Sequence, residues 1–148
     1  MKAICAVWGD TPYGLTDLLG LRRTEIDGMY DGETCRCTPM DDSTLPETKA
    51  SVLCEVASLN DTNPATPLSV YAEDYYANCP AVAVHSYGEG RAYYLASRFD
   101  EAFHRAFYRA TVKEVGLKPA WPEALPDGVL AARRGTFVFV QNLSLIHI

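Results

Sequence analysis

Residues 80–97, PAVAVHSYGEGRAYYLAS, decide how the rest of the chain is read. Two β-branched or aromatic runs, AVAVHSY (81–87) and RAYYLAS (91–97), flank Gly88, Glu89 and Gly90. A short glycine-bearing turn between such runs predicts an antiparallel hairpin. Upstream, SVLCEVA (51–57) and PLSVYA (67–72) have the same composition and are bounded by turn residues, so they predict two more strands. Downstream the period changes. After Phe99, Asp100 is placed to cap a helix, and Phe103, Ala106, Phe107 and Ala110 recur at helical spacing. That helix, 100–115, is expected to end at Gly116. Strands that bury one side against a Phe-bearing helix make an α/β layer.

Further out, KAICAVW (2–8) predicts a short buried strand and GDTPYG (9–14) a turn. LTDLLGL (15–21) has the spacing of a short helix ended by Gly20, with Thr16 or Thr11 as its cap. Residues 28–49, rich in Gly, Asp, Thr and Pro, predict a surface loop. LKPAWPEALPDG (117–128) carries Pro119, Pro122 and Pro126 and reads as a linker at a domain boundary. Beyond it, GVLAARR and TFVFVQN, joined at Gly135, predict a second antiparallel hairpin. The terminal LSLIHI (143–148) is the codon-by-codon translation of the transposase mosaic-end adapter of sequencing libraries. It reads as an adapter-derived tail, excluded from fold reasoning, and the chain as a truncated piece of something longer.

The composition, 48% hydrophobic and 22% charged over 148 residues, is that of a globular domain. A net charge of -6, with no Lys/Arg run, argues against a nucleic-acid partner. No stretch approaches the roughly 18 apolar residues of a membrane helix, and the opening MKAICAVWGD is too short an apolar run for a signal peptide. Cys5, Cys35, Cys37, Cys54 and Cys79 are an odd, irregularly spaced set with no disulfide or zinc signature. Cys35 and Cys37 could supply two metal ligands, but no second Cys/His pair is near, and free thiols in a loop are the simpler reading. Cys54, inside an apolar run, reads as a small buried hydrophobe. Free thiols imply a reducing, cytoplasmic setting.

Catalysis needs a nucleophile with a base, a carboxylate pair in a cleft, or a metal set. His85 on a strand and His104 beside Phe103 on the helix read as packed or surface residues, and SYGEG is not a nucleophile elbow. Among the acids Glu25, Asp27, Asp41, Asp42, Glu73 and Asp74, a glycosidase-type pair would have to be held by rigid scaffold; adjacent acids in a loop are more simply solvated charge. The tyrosines of YAEDYY (71–76) and AYY (92–94) suit core packing or a subunit contact better than a sugar platform. No catalytic, cofactor-binding or metal-ligating residue is assigned.

Three stretches together resemble a known family: GDTPYGLTDLLGLRRTEIDGMYDGE (9–33), VYAEDYYANCPAVAVHSYGEGRAYYLASRFDEAFHRAFYRATVKEVGL (70–117) and LPDGVLAARR (125–134). They are similar, in order, to the back half of glycoside hydrolase family 42 β-galactosidases. The resemblance implies a parent whose N-terminal (β/α)₈ barrel carries both catalytic glutamates for retaining cleavage of terminal β-D-galactosides. It further implies a middle α/β domain that mediates homotrimer assembly and a small antiparallel β domain that closes the chain. The expected fold is therefore α/β: a partial flavodoxin-like/glutamine-amidotransferase-like layered domain, then the beginning of the β domain. Residues 1–118 would be the C-terminal part of the trimerisation domain, 119–126 a linker, and 127–142 the start of the β domain. A barrel of about 250 residues has no room here, and neither glutamate motif is present. The small β-galactoside would bind mainly to that missing barrel, and the piece alone would be inactive.

CRCTPMDDSTLPETK (35–49) matches the family poorly. An amidotransferase-type thiol hydrolase would need a Cys on a strand-to-helix elbow, whereas Cys54 is strand-like and Cys79 precedes a proline; Cys79 with His85 or His104 is the pair to inspect. The alternative function is a standalone non-catalytic α/β assembly or binding module whose gene begins at Met1.

Overall fold

In the computed structural model, residues 14–143 are described. The expected strand at 2–8, the Thr11 cap and residues 144–148 of the tail lie outside them. The chain divides into two compact units, Met1–Tyr108 and Arg109–Ile148.

The first unit begins with a short helix, α1 (Thr16–Leu19), that Gly20 stops as expected. Gly20 has a left-handed φ of 65°, and its N–H donates to Thr16 O. Leu15 occupies the N-cap position without a side-chain bond, so Thr16 starts the helix rather than capping it. Seven strands follow: β1 (Leu21–Gly28), β2 (Cys35–Pro39), β3 (Thr48–Leu59), β4 (Thr66–Tyr71), β5 (Pro80–Tyr87), β6 (Gly90–Leu95) and β7 (Ser97–Phe99). The expected hairpin is β5–β6, in register from Val82↔Leu95 to Tyr87↔Gly90.

Two sequence expectations are overturned. The surface loop at 28–49 contains β2, with Cys35 and Cys37 facing the interior and Arg36 and Thr38 facing out. The strand alternation is present, but its inward residues are cysteines between turn-formers, which do not stand out as a β signal.

The second correction concerns fold class. The α/β expectation, a flavodoxin-like/glutamine-amidotransferase-like layered domain, does not hold, because the strand pairings among the described residues are antiparallel throughout. Parallel neighbours need a crossover of a dozen or more residues, usually a helix. Here successive strands are joined by turns and loops, and α2 (Glu101–Val115) comes after the last strand of the sheet.

The sheet runs β1-β3-β2-β4-β5-β6, with β7 on β3. Only Ala96 separates β6 from β7. Its N–H donates to Ala81 O (2.9 Å) and its O accepts from Glu55 N–H (2.8 Å). The pairings from β3 through β2, β4, β5 and β6 thus return to β3 through β7, and β1 lies outside this ring on residues 53–59 of β3.

Tyr71, Tyr76, Leu21, Val82 and the thiols of Cys35, Cys37 and Cys54 are fully buried. Phe103 and Phe107 of α2 are buried too, Phe103 against Phe99 with ring centroids 4.5 Å apart. Burying such a side chain is worth about 2–3 kcal/mol. The Asp100 cap forms as expected: Oδ1 accepts from Phe103 N–H at 2.8 Å, and Oδ2 accepts from the Thr48 hydroxyl at 2.9 Å. Ala106 and Ala110 contribute less; the first is half-buried and the second exposed.

In the second unit, β8 (Val129–Arg134) and β9 (Phe137–Asn142) form the expected hairpin, paired from Val129↔Asn142 to Arg134↔Phe137 around Gly135.

Candidate functional site

The polar interior of the first unit centres on Glu55, a carboxylate within the apolar run SVLCEVA. Arg23 Nη1 donates to its Oε1 at 2.9 Å, and the Tyr94 hydroxyl donates to Oε2. Both side chains of the ion pair are nearly enclosed, 8% and 12% exposed. Burial, and then the bond to Glu55, push the Tyr94 hydroxyl above its ordinary range. The Tyr71 hydroxyl reaches Ala96 O (3.1 Å) and Glu55 O (3.3 Å), so it ties the ring closure to the core.

The thiols beside this network are chemically quiet. Burial pushes Cys35 up to about 11 and Cys37 up to about 12, and it raises Cys54 as well. Cys37 Sγ lies 3.7 Å from Cys35 O, and Cys54 Sγ lies 3.8 Å from Met29 Sδ. A thiol held protonated is neither nucleophile nor metal ligand. Among the described residues no group of three or more His, Cys, Asp or Glu could hold a metal ion.

The residues singled out from the sequence are not brought together. His85 is buried where α1 meets β5; its Nδ1 bonds Leu18 O at 2.8 Å, and its Nε2 has no partner among the described residues. None of the described thiols therefore bonds the His85 ring. The His104 ring packs among Phe99, Phe103 and Tyr108. Cys79 is half-buried in the turn before β5, where its N–H donates to Tyr76 O. Asp41, Asp42 and Asp74 are exposed in turns. Glu73 pairs with Arg36 at 3.4 Å, and Glu25 accepts from the Tyr75 hydroxyl at 2.9 Å. That bond, ahead of the acids around it, pushes Tyr75 up to about 12. The bonds these acids make are to Arg36 and Tyr75 rather than to one another.

Sequence reasoning missed the Arg23–Glu55–Tyr94 network. One signal was available: a glutamate in the middle of a buried strand needs a cation. Its partner, however, lies on a strand that looks polar.

Aromatic and apolar side chains are left exposed on the first unit, including Tyr30, Val52, Tyr75 and Ile26. In the second unit, Leu130, Phe137, Phe139 and Val140 are exposed on the hairpin. A packed interior with apolar side chains left outside is chemically equipped for association.

Comparison with known proteins agrees with that reading. The β-galactosidase trimerisation-domain family matches residues 5–118. β-Galactosidase BglY of Alicyclobacillus acidocaldarius is 40% identical over 143 residues, covering 92% of this chain and 20% of that one. β-Galactosidase Pbg of Clostridium perfringens is 32% identical over the same shares. Among solved structures, the cold-adapted β-galactosidase from Rahnella sp. R3 superposes with a TM-score of 0.76 at 40% identity, over 87% of this chain and 20% of that one. The β-galactosidase from Bacillus circulans sp. alkalophilus does so with a TM-score of 0.79 at 28% identity, over 91% and 20%. The chain spans about a fifth of the length of the relatives it matches.

Proposed function

The chain belongs to the β-galactosidase trimerisation-domain family, and from that premise we propose that it is the assembly portion of a longer retaining β-galactosidase. The family match over residues 5–118 carries this reading. The parent hydrolyses terminal non-reducing β-D-galactosides with a catalytic barrel that lies outside this chain. Residues 1–118 serve homotrimer assembly, 119–126 link, and 127–142 begin the closing β domain. A reducing, cytoplasmic setting accompanies the proposal, supported by the free thiols of Cys35, Cys37, Cys54 and Cys79. No helix among the described residues is long and apolar enough to cross a membrane.

The chemistry of the described residues supports assembly rather than turnover, since the thiols of Cys35, Cys37 and Cys54 are held protonated by burial and the histidines are engaged in packing. The purified 148-residue chain is expected to leave a chromogenic β-galactoside unhydrolysed. Turnover that persists through purification to homogeneity would overturn the claim that the catalytic groups lie elsewhere.

A further inference from the structure

The dipeptide Asp-Gly occurs at Asp27–Gly28, Asp31–Gly32 and Asp127–Gly128, and the fold puts it in two different settings. Asp27 and Gly28 end β1, where they pair with Cys54 and Leu53. Just beyond them, Met29 N–H donates to Val52 O at 3.0 Å and closes the ladder. Asp27 is half-buried, and its carboxylate faces the buried Tyr76 hydroxyl. The peptide plane between Asp27 and Gly28 cannot turn over without opening the β1–β3 pairing.

Asp31–Gly32 lies instead at the centre of a turn. Glu33 N–H donates to Tyr30 O at 3.0 Å, Gly32 has a φ of 87°, and Asp31 has no left-handed backbone, so residues 30–33 form a type II β-turn. Both central residues are exposed. Among the described residues, nothing bonds the Asp31 carboxylate or the Gly32 N–H. Residues 126–129 repeat the arrangement. Val129 N–H donates to Pro126 O at 3.1 Å, Gly128 has a φ of 81°, and Asp127 and Gly128 are both exposed.

The central peptide plane of such a turn can rotate. Glycine at the third position accepts either sign of φ, so the rotation takes type II to type I and keeps the bond that closes the turn. During it the glycine nitrogen sweeps past the aspartyl side chain, and glycine carries no Cβ to screen that nitrogen.

We infer that Asp31 and Asp127 are sites of spontaneous aspartate-to-isoaspartate isomerisation, and that β1 shields Asp27 from the same reaction. The step is an acyl transfer without redox change. The glycine nitrogen bonds to the aspartyl Cγ, and the carboxyl hydroxyl leaves as water with the amide proton, giving a cyclic imide. Water then adds to one of the two imide carbonyls. Breaking the N–Cγ bond returns aspartate. Breaking the bond from nitrogen to the main-chain carbonyl carbon leaves isoaspartate, whose chain runs through Cγ and whose α-carboxylate is free. At Asp31 the product lengthens the β1–β2 connection by one carbon and presents an exposed carboxylate of the class that a carboxyl-methylating repair enzyme takes.

Incubation of the 148-residue chain in neutral buffer, with samples mapped by the protease Asp-N, tests this. That protease cuts before aspartate but not before isoaspartate, and the imide is detected as a peptide one water lighter. Without denaturant, isoaspartate is expected at Asp31 and Asp127. Asp27 should lag at least about tenfold, the factor that a local opening of about 1.4 kcal/mol imposes. In concentrated urea, where no ladder remains, the three sites should convert at matching rates. Gly32→Asn, which still suits a positive φ but adds a Cβ, should slow conversion at Asp31 and leave Asp127 unchanged. Equal rates at Asp27 and Asp31 without denaturant, or aspartate that persists at Asp31 there while converting in urea, would overturn the inference.

Discussion

At the residue scale, stability depends on a few side chains whose partners lie far away in sequence. Arg23 and Glu55 are separated by 32 positions, and the Tyr94 hydroxyl completes the group from a third strand. Removing one member of a nearly enclosed ion pair leaves the other charge buried and unpaired. Arg23→Ala is therefore expected to destabilise the first unit by about 3 kcal/mol, read as a lowered urea midpoint with unchanged m. Gly20 is constrained twice: its φ is 65°, and a Cβ there would come within 2.6 Å of the His85 ring and 2.7 Å of Ala65 N. Gly20→Ala should cost about 2 kcal/mol or more, with the loss visible in the same melt.

Asp100 gives a pH signature. The N–H of Phe103, its largest influence, holds the carboxyl below its ordinary value, with the Thr48 hydroxyl adding to the effect. A depressed folded-state pKa means stability that is fully present above the unfolded value, about 4, and is lost as pH falls through the folded value. Asp100→Asn, which still caps a helix, should remove that part of the acid sensitivity. Unfolding of the two proteins followed from pH 6 to pH 2 is the check; parallel curves would contradict it. Asp100, Gly20 and Gly116 were legible in the sequence because capping is a local rule. The Arg23–Glu55 pair was not, because nothing within 32 positions announces it.

At the element scale, elements with strong periodicity were legible and those with borrowed periodicity were not. The β5–β6 hairpin and α2 carry their own signals: runs around a glycine turn, and phenylalanines at helical spacing. β1, written LRRTEIDG, reads as polar, yet Leu21 and Arg23 face the interior because α1 and β3 supply the surroundings. The alternation of β2 is carried by two cysteines, whose burial follows from the ring that closes over them rather than from their own composition. α2 depends on the opposite logic, since its hold on the sheet is concentrated in Phe103 and Phe107. Phe103→Ala should cost about 3–5 kcal/mol. The helical circular-dichroism signal should then melt at lower temperature, and a Tyr108→Ser control at a half-exposed position should shift it little.

At the scale of the whole molecule, the fold class was misread for a reason that applies beyond this chain. A run of strands followed by a helix fits both a layered α/β sheet and an antiparallel ring, and only the pairing partners separate them. Those partners are non-local: β7 closes onto β3 across more than forty positions, through Ser51↔Arg98. Short connections between strands favoured the antiparallel answer from the start, but the family resemblance drew the expectation towards a layered sheet. Family membership was legible because it rests on long ordered stretches, independent of how the strands pair.

The measurement that tests the central claim most directly is native mass spectrometry of the full-length parent that carries this chain, across a concentration series. The account predicts a species with the mass of three protomers. The mass of a single protomer at every concentration would contradict it.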